Sequence, residues 1–81
     1  MPLSKARAGE VVELVDVRGG ADLRRRLAEM GLGTGSRLTV ETDGRRGPCI
    51  VQVLGSRVIL GHGMVSRMLV HPVPQAGGPR E

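Results

Sequence analysis

Phenylalanine, tyrosine and tryptophan are all absent from this chain of 81 residues. Binders of single-stranded nucleic acid stack bases on aromatic rings, so that mode of recognition is excluded. Grooves for proline-rich peptides are also lined by aromatics, and that function falls for the same reason. A lone cysteine, Cys49, allows no internal disulfide, which fits a reducing compartment. No apolar run approaches the roughly 20 residues that a membrane-spanning helix needs. None of signal length opens the chain either. These absences lead us to expect a cytoplasmic protein. Gly-Lys-Ser/Thr occurs nowhere, so no P-loop for GTP or ATP is expected.

Without aromatics, the core must be built from Val, Leu, Ile, Met and Ala. Branched aliphatic side chains suit strands, and the length allows one small domain. Lys and Arg number 12 against 8 Asp and Glu, a formal charge of +4, and every cation but Lys5 is an arginine. That balance suits an acidic protein face, an anionic lipid surface or phosphate-only contact with RNA.

Helical periodicity is clearest around Arg24-Arg25-Arg26-Leu27-Ala28-Glu29-Met30-Gly31. Leu23, Leu27 and Met30 share one side, and Asp22 stands in the first turn, where the helix dipole favours negative charge. Gly31 is placed as a left-handed C-terminal stop, and Gly35 as part of the turn that follows. The spacing predicts a helix over 21–30, with Arg26 paired to Asp22 and Arg25 to Glu29 at i, i+4. The segment 10–17 alternates as a strand, with Val11, Glu13, Val15 and Val17 on one face and Val12, Leu14 and Asp16 on the other.

Further strands are expected near 36–42, 48–54, 57–60 and 67–71. The stretch 43–47 reads as a turn, Gly55-Ser56 as a tight hairpin, and Gly61 to Ser66 as a single helical turn. The fold class is therefore mainly β: a small, strongly bent barrel of about five strands with one inserted helix and a short helical turn before the last strand. Residues 1–73 form the domain. From Pro72 to Glu81 the chain holds three Pro and two Gly, and 74–81 reads as a disordered tail.

The motif Arg26-Leu27-x-x-Met30-Gly31-Leu32-x-x-Gly35 resembles the signature of the FeoA family, the small ferrous iron transport protein A of bacteria. Leu3, Gly9-Glu10, Pro48, Val58-Ile59-Leu60, Met64 and Met68-x-Val70 extend the resemblance over roughly residues 3–73. It implies an SH3-like β-barrel with an inserted helix. It also implies a partner, the membrane ferrous iron transporter FeoB, which carries a cytosolic GTP-binding domain. The same barrel resembles the C-terminal domain of iron-dependent repressors. This chain lacks their helix-turn-helix, so DNA binding of that kind is not expected. Family members often carry more polar or charged residues where this chain has Gly61-His62-Gly63.

The glycines at 31, 33 and 35 follow a helix and precede a strand, which is the wrong order for a phosphate loop. Cys49, His62 and His71 are the candidate metal donors, with Met64 as a further soft one. They lack the close pair spacing of zinc sites, so a transition metal would need ligands converging from several strands or from two copies of the chain. No catalytic residue is expected: the lone Cys has no oriented base and the serines no nucleophile-elbow context. The expected activity is protein–protein contact with FeoB. Arg24 and Arg25 would supply directional charge, and Met30 and Leu32 an apolar anchor if the core leaves them exposed. The alternatives are a metal-binding regulator with a Cys/His site and a basic RNA-binding barrel.

Overall fold

The computed structural model describes residues 1–45 and 47–74. A 3-10 turn, Leu3–Lys5, leads into β1 (Val11–Val17), α1 (Ala21–Glu29), β2 (Arg37–Thr42), β3 (Cys49–Val53), β4 (Ser56–Leu60), the one-turn helix α2 (His62–Val65) and β5 (Met68–Pro72). The strands form one antiparallel sheet in the order β4-β3-β2-β1-β5. That is the mainly β architecture read from the sequence, as a curled sheet with two edges rather than a closed barrel. The disordered tail expected at 74–81 lies, apart from Pro74, outside the described residues.

Among the described residues the core is aliphatic apart from Cys49 and Met68. Val12, Leu14, Leu38, Val40, Val51, Met68 and Val70 line the inner face of the sheet, and Leu3, Leu27, Leu32 and Val65 close over them. Strand alternation places these side chains inward, and two irregularities bend the sheet around them. In β1 the pairing with β5 runs Leu14 to Val70 and then Asp16 to Leu69, so Val15 is an extra residue. In β2 the pairing with β3 runs Val40 to Val51 and then Thr42 to Ile50, leaving Glu41 extra. The first bulge corrects the reading of β1. Val12 and Leu14 face the core as their own face requires, but the inserted residue reverses the phase, so Val17 joins them and Val15 is exposed.

The end of α1 is set by backbone geometry. Gly31 has φ +83°. Its N–H donates to the Ala28 carbonyl at 3.0 Å, and the Leu32 N–H donates to the Leu27 carbonyl at 2.8 Å. This is the full Schellman pattern, with the left-handed residue just past the helix. The exit is then fastened to β1: Gly35 N–H donates to the Leu14 carbonyl at 2.7 Å, and Leu14 N–H to the Ser36 carbonyl at 2.9 Å. A branched side chain at a left-handed position is strained. Gly31→Val should therefore destabilise the protein by about 1–2 kcal/mol, read as a melting temperature lower by roughly 4–16 °C for a domain this small.

Candidate functional site

Four of the arginine and helix-exit residues expected to meet a partner take different roles. Arg24 is exposed but tied to the end of β1: its Nε donates to the Val17 carbonyl at 3.2 Å, and its guanidinium lies 3.4 Å from Asp16. Arg25 pairs with Asp22 at 2.9 Å, an i, i+3 contact. The i, i+4 pairs of Arg26 with Asp22 and Arg25 with Glu29 are not formed, because Arg25 takes Asp22. Exposed pairs of this kind contribute about 0–1 kcal/mol, so the helix face is available to a competing carboxylate.

Met30 is 46% exposed and Leu32 only 1%. Leu32 is therefore a core residue and not a contact residue. The cause is the Schellman closure, which folds the residue after the left-handed glycine back onto Leu27. The same turn leaves Met30, the C-cap of α1, at the surface, so the expected seam of Leu23, Leu27 and Met30 buries fully only at Leu27.

Two apolar residues outside the expected set join Met30. Ile59 on β4 is 67% exposed and Leu54 is 88% exposed. Leu54 and Gly55 form the two-residue loop between β3 and β4, both with positive φ, +52° and +80°. That is a type I′ turn, whose first position normally carries Asn, Asp or Gly. A leucine there holds a backbone conformation costly for a branched side chain and sets its apolar end over Gly31, where a Cβ would lie 3.4 Å from Leu54 Cδ1. The turn is thus Leu54-Gly55 and not the expected Gly55-Ser56, which brings Leu54 to the surface. The signal was a leucine before the glycine of a two-residue hairpin.

Between α1 and β4 lies a groove of about 230 Å³, lined by Leu23, Arg26, Leu27, Met30, Ile59, Leu60, Gly61 and Met64. It is smaller than the roughly 300–1,000 Å³ of small-molecule sites and fits one or two side chains. Arg26 is its one charged residue. Unlike Arg24, Arg25 and Arg57, Arg26 has no carboxylate within 4.0 Å among the described residues.

The metal candidates are dispersed. Cys49 is 3% exposed on β3, opposite Leu60. His62 is the exposed first residue of α2, and His71 on β5 stands 3.8 Å from Glu13 of β1. Among the described residues no three of His, Cys, Asp and Glu come together as a ligand set. Burial, and secondarily the charge of Asp43, push the Cys49 thiol above its ordinary value. That makes it a poor nucleophile at neutral pH.

The fold is a small, bent, SH3-like antiparallel sheet with one inserted helix, and two of its exposed apolar residues, Met30 and Ile59, line the groove between α1 and β4. The chain belongs to the FeoA domain family, whose sequence profile matches residues 1–72. It is 32% identical over 76 residues to an Fe(2+) transport protein A of Methanocaldococcus jannaschii, covering 94% of this chain and 92% of that one. A crystal structure described as the iron uptake regulatory protein FeoA superposes with a TM-score of 0.82 at 33% identity, covering 90% and 97% of the two chains. FeoA of Stenotrophomonas maltophilia, described as an SH3 domain protein complexed with zinc, superposes with a TM-score of 0.67 at 32% identity, covering 88% and 89%. No helix among the described residues is long and apolar enough to cross a membrane.

Leu54→Asn should raise the melting temperature, since asparagine is at home in this turn, by the equivalent of about 0.5–1 kcal/mol. Cys49 should react slowly with a thiol reagent in the native protein at pH 8 and rapidly in urea. With its folded pKa raised, the thiol favours the native state fully below its ordinary value of 9.0. That contribution is lost as pH rises through the higher folded value, and a urea titration at pH 8 and pH 10 reads the difference.

Proposed function

We propose that this chain is an accessory protein of ferrous iron uptake that binds the membrane transporter FeoB and modulates it by protein–protein contact, without chemistry of its own. The observation that carries this reading is the exposed apolar group Met30, Leu54 and Ile59 near Arg26, which has no carboxylate partner among the described residues, on a chain of the FeoA family. An apolar centre with an arginine at its side is the composition of an interface anchor. Arg25, held only by an exposed pair with Asp22, adds directional charge at the edge of this face. Arg24 is a poorer contact residue than its position on the helix implied, because it braces the end of β1. The protein works in the cytoplasm on this reading, against the cytosolic part of the transporter.

The test is the affinity of the chain for detergent-solubilised transporter. Met30→Asp should weaken binding at least tenfold while leaving the melting temperature within about 2 °C, because Met30 contributes little to the core. Arg25→Glu should weaken it less and make it less salt-sensitive. Equal affinities for both variants and the wild type would overturn the reading.

A second reading has one observation behind it, the zinc described for the Stenotrophomonas maltophilia relative. In this chain Glu13 and His71 are a donor pair on adjacent strands, 3.8 Å apart, and a second molecule would have to complete the set. Calorimetric titration with zinc at neutral pH, repeated on His71→Ala, tests it. Heat that survives the substitution would exclude this pair.

A further inference from the structure

The two edges of the sheet are treated differently by the chain. The β5 edge is covered: the Val70 N–H donates to the Met1 carbonyl at 2.7 Å, the Met1 amino group donates to the Val70 carbonyl at 2.8 Å, and Pro2 bridges to Leu69. Nothing among the described residues covers β4. Which of its backbone groups are open follows from the ladder. Val40 spends its N–H and carbonyl on Glu10 and Gly9, on the β1 side. Its pair with Val51 is therefore a non-bonded one, and Val51 must bond on its other side, to Val58. Bonded and non-bonded pairs alternate, so Ser56, Val58 and Leu60 face β3. The N–H and carbonyl groups of Arg57 and Ile59 point away from the sheet, and among the described residues they make no other backbone hydrogen bond.

This open edge borders the groove whose far wall is α1. A free strand edge facing a helix across a shallow apolar trough is the geometry in which an extended peptide adds to a sheet, its backbone pairing with the edge and alternate side chains entering the trough. From this we infer that β4 and α1 form a strand-addition site for an extended peptide of a partner protein. The peptide carries alternating apolar residues and a carboxylate that meets Arg26. Charge selects this occupant over a second copy of the chain: Arg26 at the groove has no carboxylate within 4.0 Å among the described residues, and β4 of a second copy carries no acidic residue to bring to it. The inference rests on the docking role proposed above for the source of the peptide, and on the β4 edge alone for its geometry.

A random decapeptide display library selected on the full chain is the probe. Selected peptides should share an apolar alternation with one Asp or Glu. Binding should slow amide exchange at Arg57 and Ile59 at least tenfold, measured by NMR on the wild-type protein. Arg26→Glu should weaken them at least tenfold. Ile59→Pro should do so too, since a proline whose missing N–H faced solvent is tolerated on an edge strand. Three results would overturn the inference: no peptide recovered, peptides that leave the Arg57 and Ile59 amides unprotected, or protection of those amides by self-association without peptide, seen in sedimentation. Peptides that bind here while the transporter does not would separate the two proposals, sinking the docking role and keeping the edge.

Discussion

Two hydrogen bonds at the end of α1, from Gly31 to Ala28 and from Leu32 to Leu27, decide how much of this protein is surface. They hold the chain in the left-handed turn at Gly31, send Leu32 back into the core and leave Met30 at the rim. The next bonds, between Gly35, Ser36 and Leu14, fix that turn to the most buried part of β1. The position of α1 relative to the sheet, and so the far wall of the groove, depends on this closure. Local backbone geometry thus reaches the contact surface in two steps, through burial and through placement.

A core without aromatic rings places its own demand on the sheet. Aliphatic side chains are small, so the layer is sealed only if the sheet curls over itself, and the bulges at Val15 and Glu41 supply the bend. The curl leaves two edges. One is sealed by Met1 and Pro2, while the other carries an exposed isoleucine and ends in a loop held by a leucine in a strained conformation. Exposed apolar residues cost a small domain solubility, and a strained turn costs it stability. Their position on the α1 and β4 side of the molecule fits the binding role proposed above.

Much of this fold was legible in the residues. Strand composition, the 3.6-residue period of Leu23 and Leu27, and Gly31 after the last turn are local signals, and the elements formed where those signals stood. The family was legible as well, because its glycine and leucine positions recur in order along the chain. The site was legible only in part. Arg25 is exposed as its place off the apolar seam implied, and Met30, placed on that seam, is left exposed, whereas Leu32 is buried by a turn whose closing contact cannot be read from spacing alone. The inward turn of Val17 depends on a bulge that a strict period of two cannot register. Ile59 is one of three apolar residues at 58–60 until the fold places Leu60 in the core and Ile59 on the opposite face of β4. Such misses share one cause: exposure is set by which elements lie side by side, and only tertiary structure supplies that.

The central claim is that the face formed by α1 and β4 is where a transporter is met. Site-specific photo-crosslinking in membranes carrying FeoB tests it most directly, with the crosslinker placed in turn at Ile59 and at Val15, an exposed residue on β1 three strands along the sheet. Efficient crosslinks to the transporter from Ile59 and few from Val15 are the predicted result. The reverse pattern would contradict the account, and the partner would then have to be sought on the β1 and β5 side of the molecule.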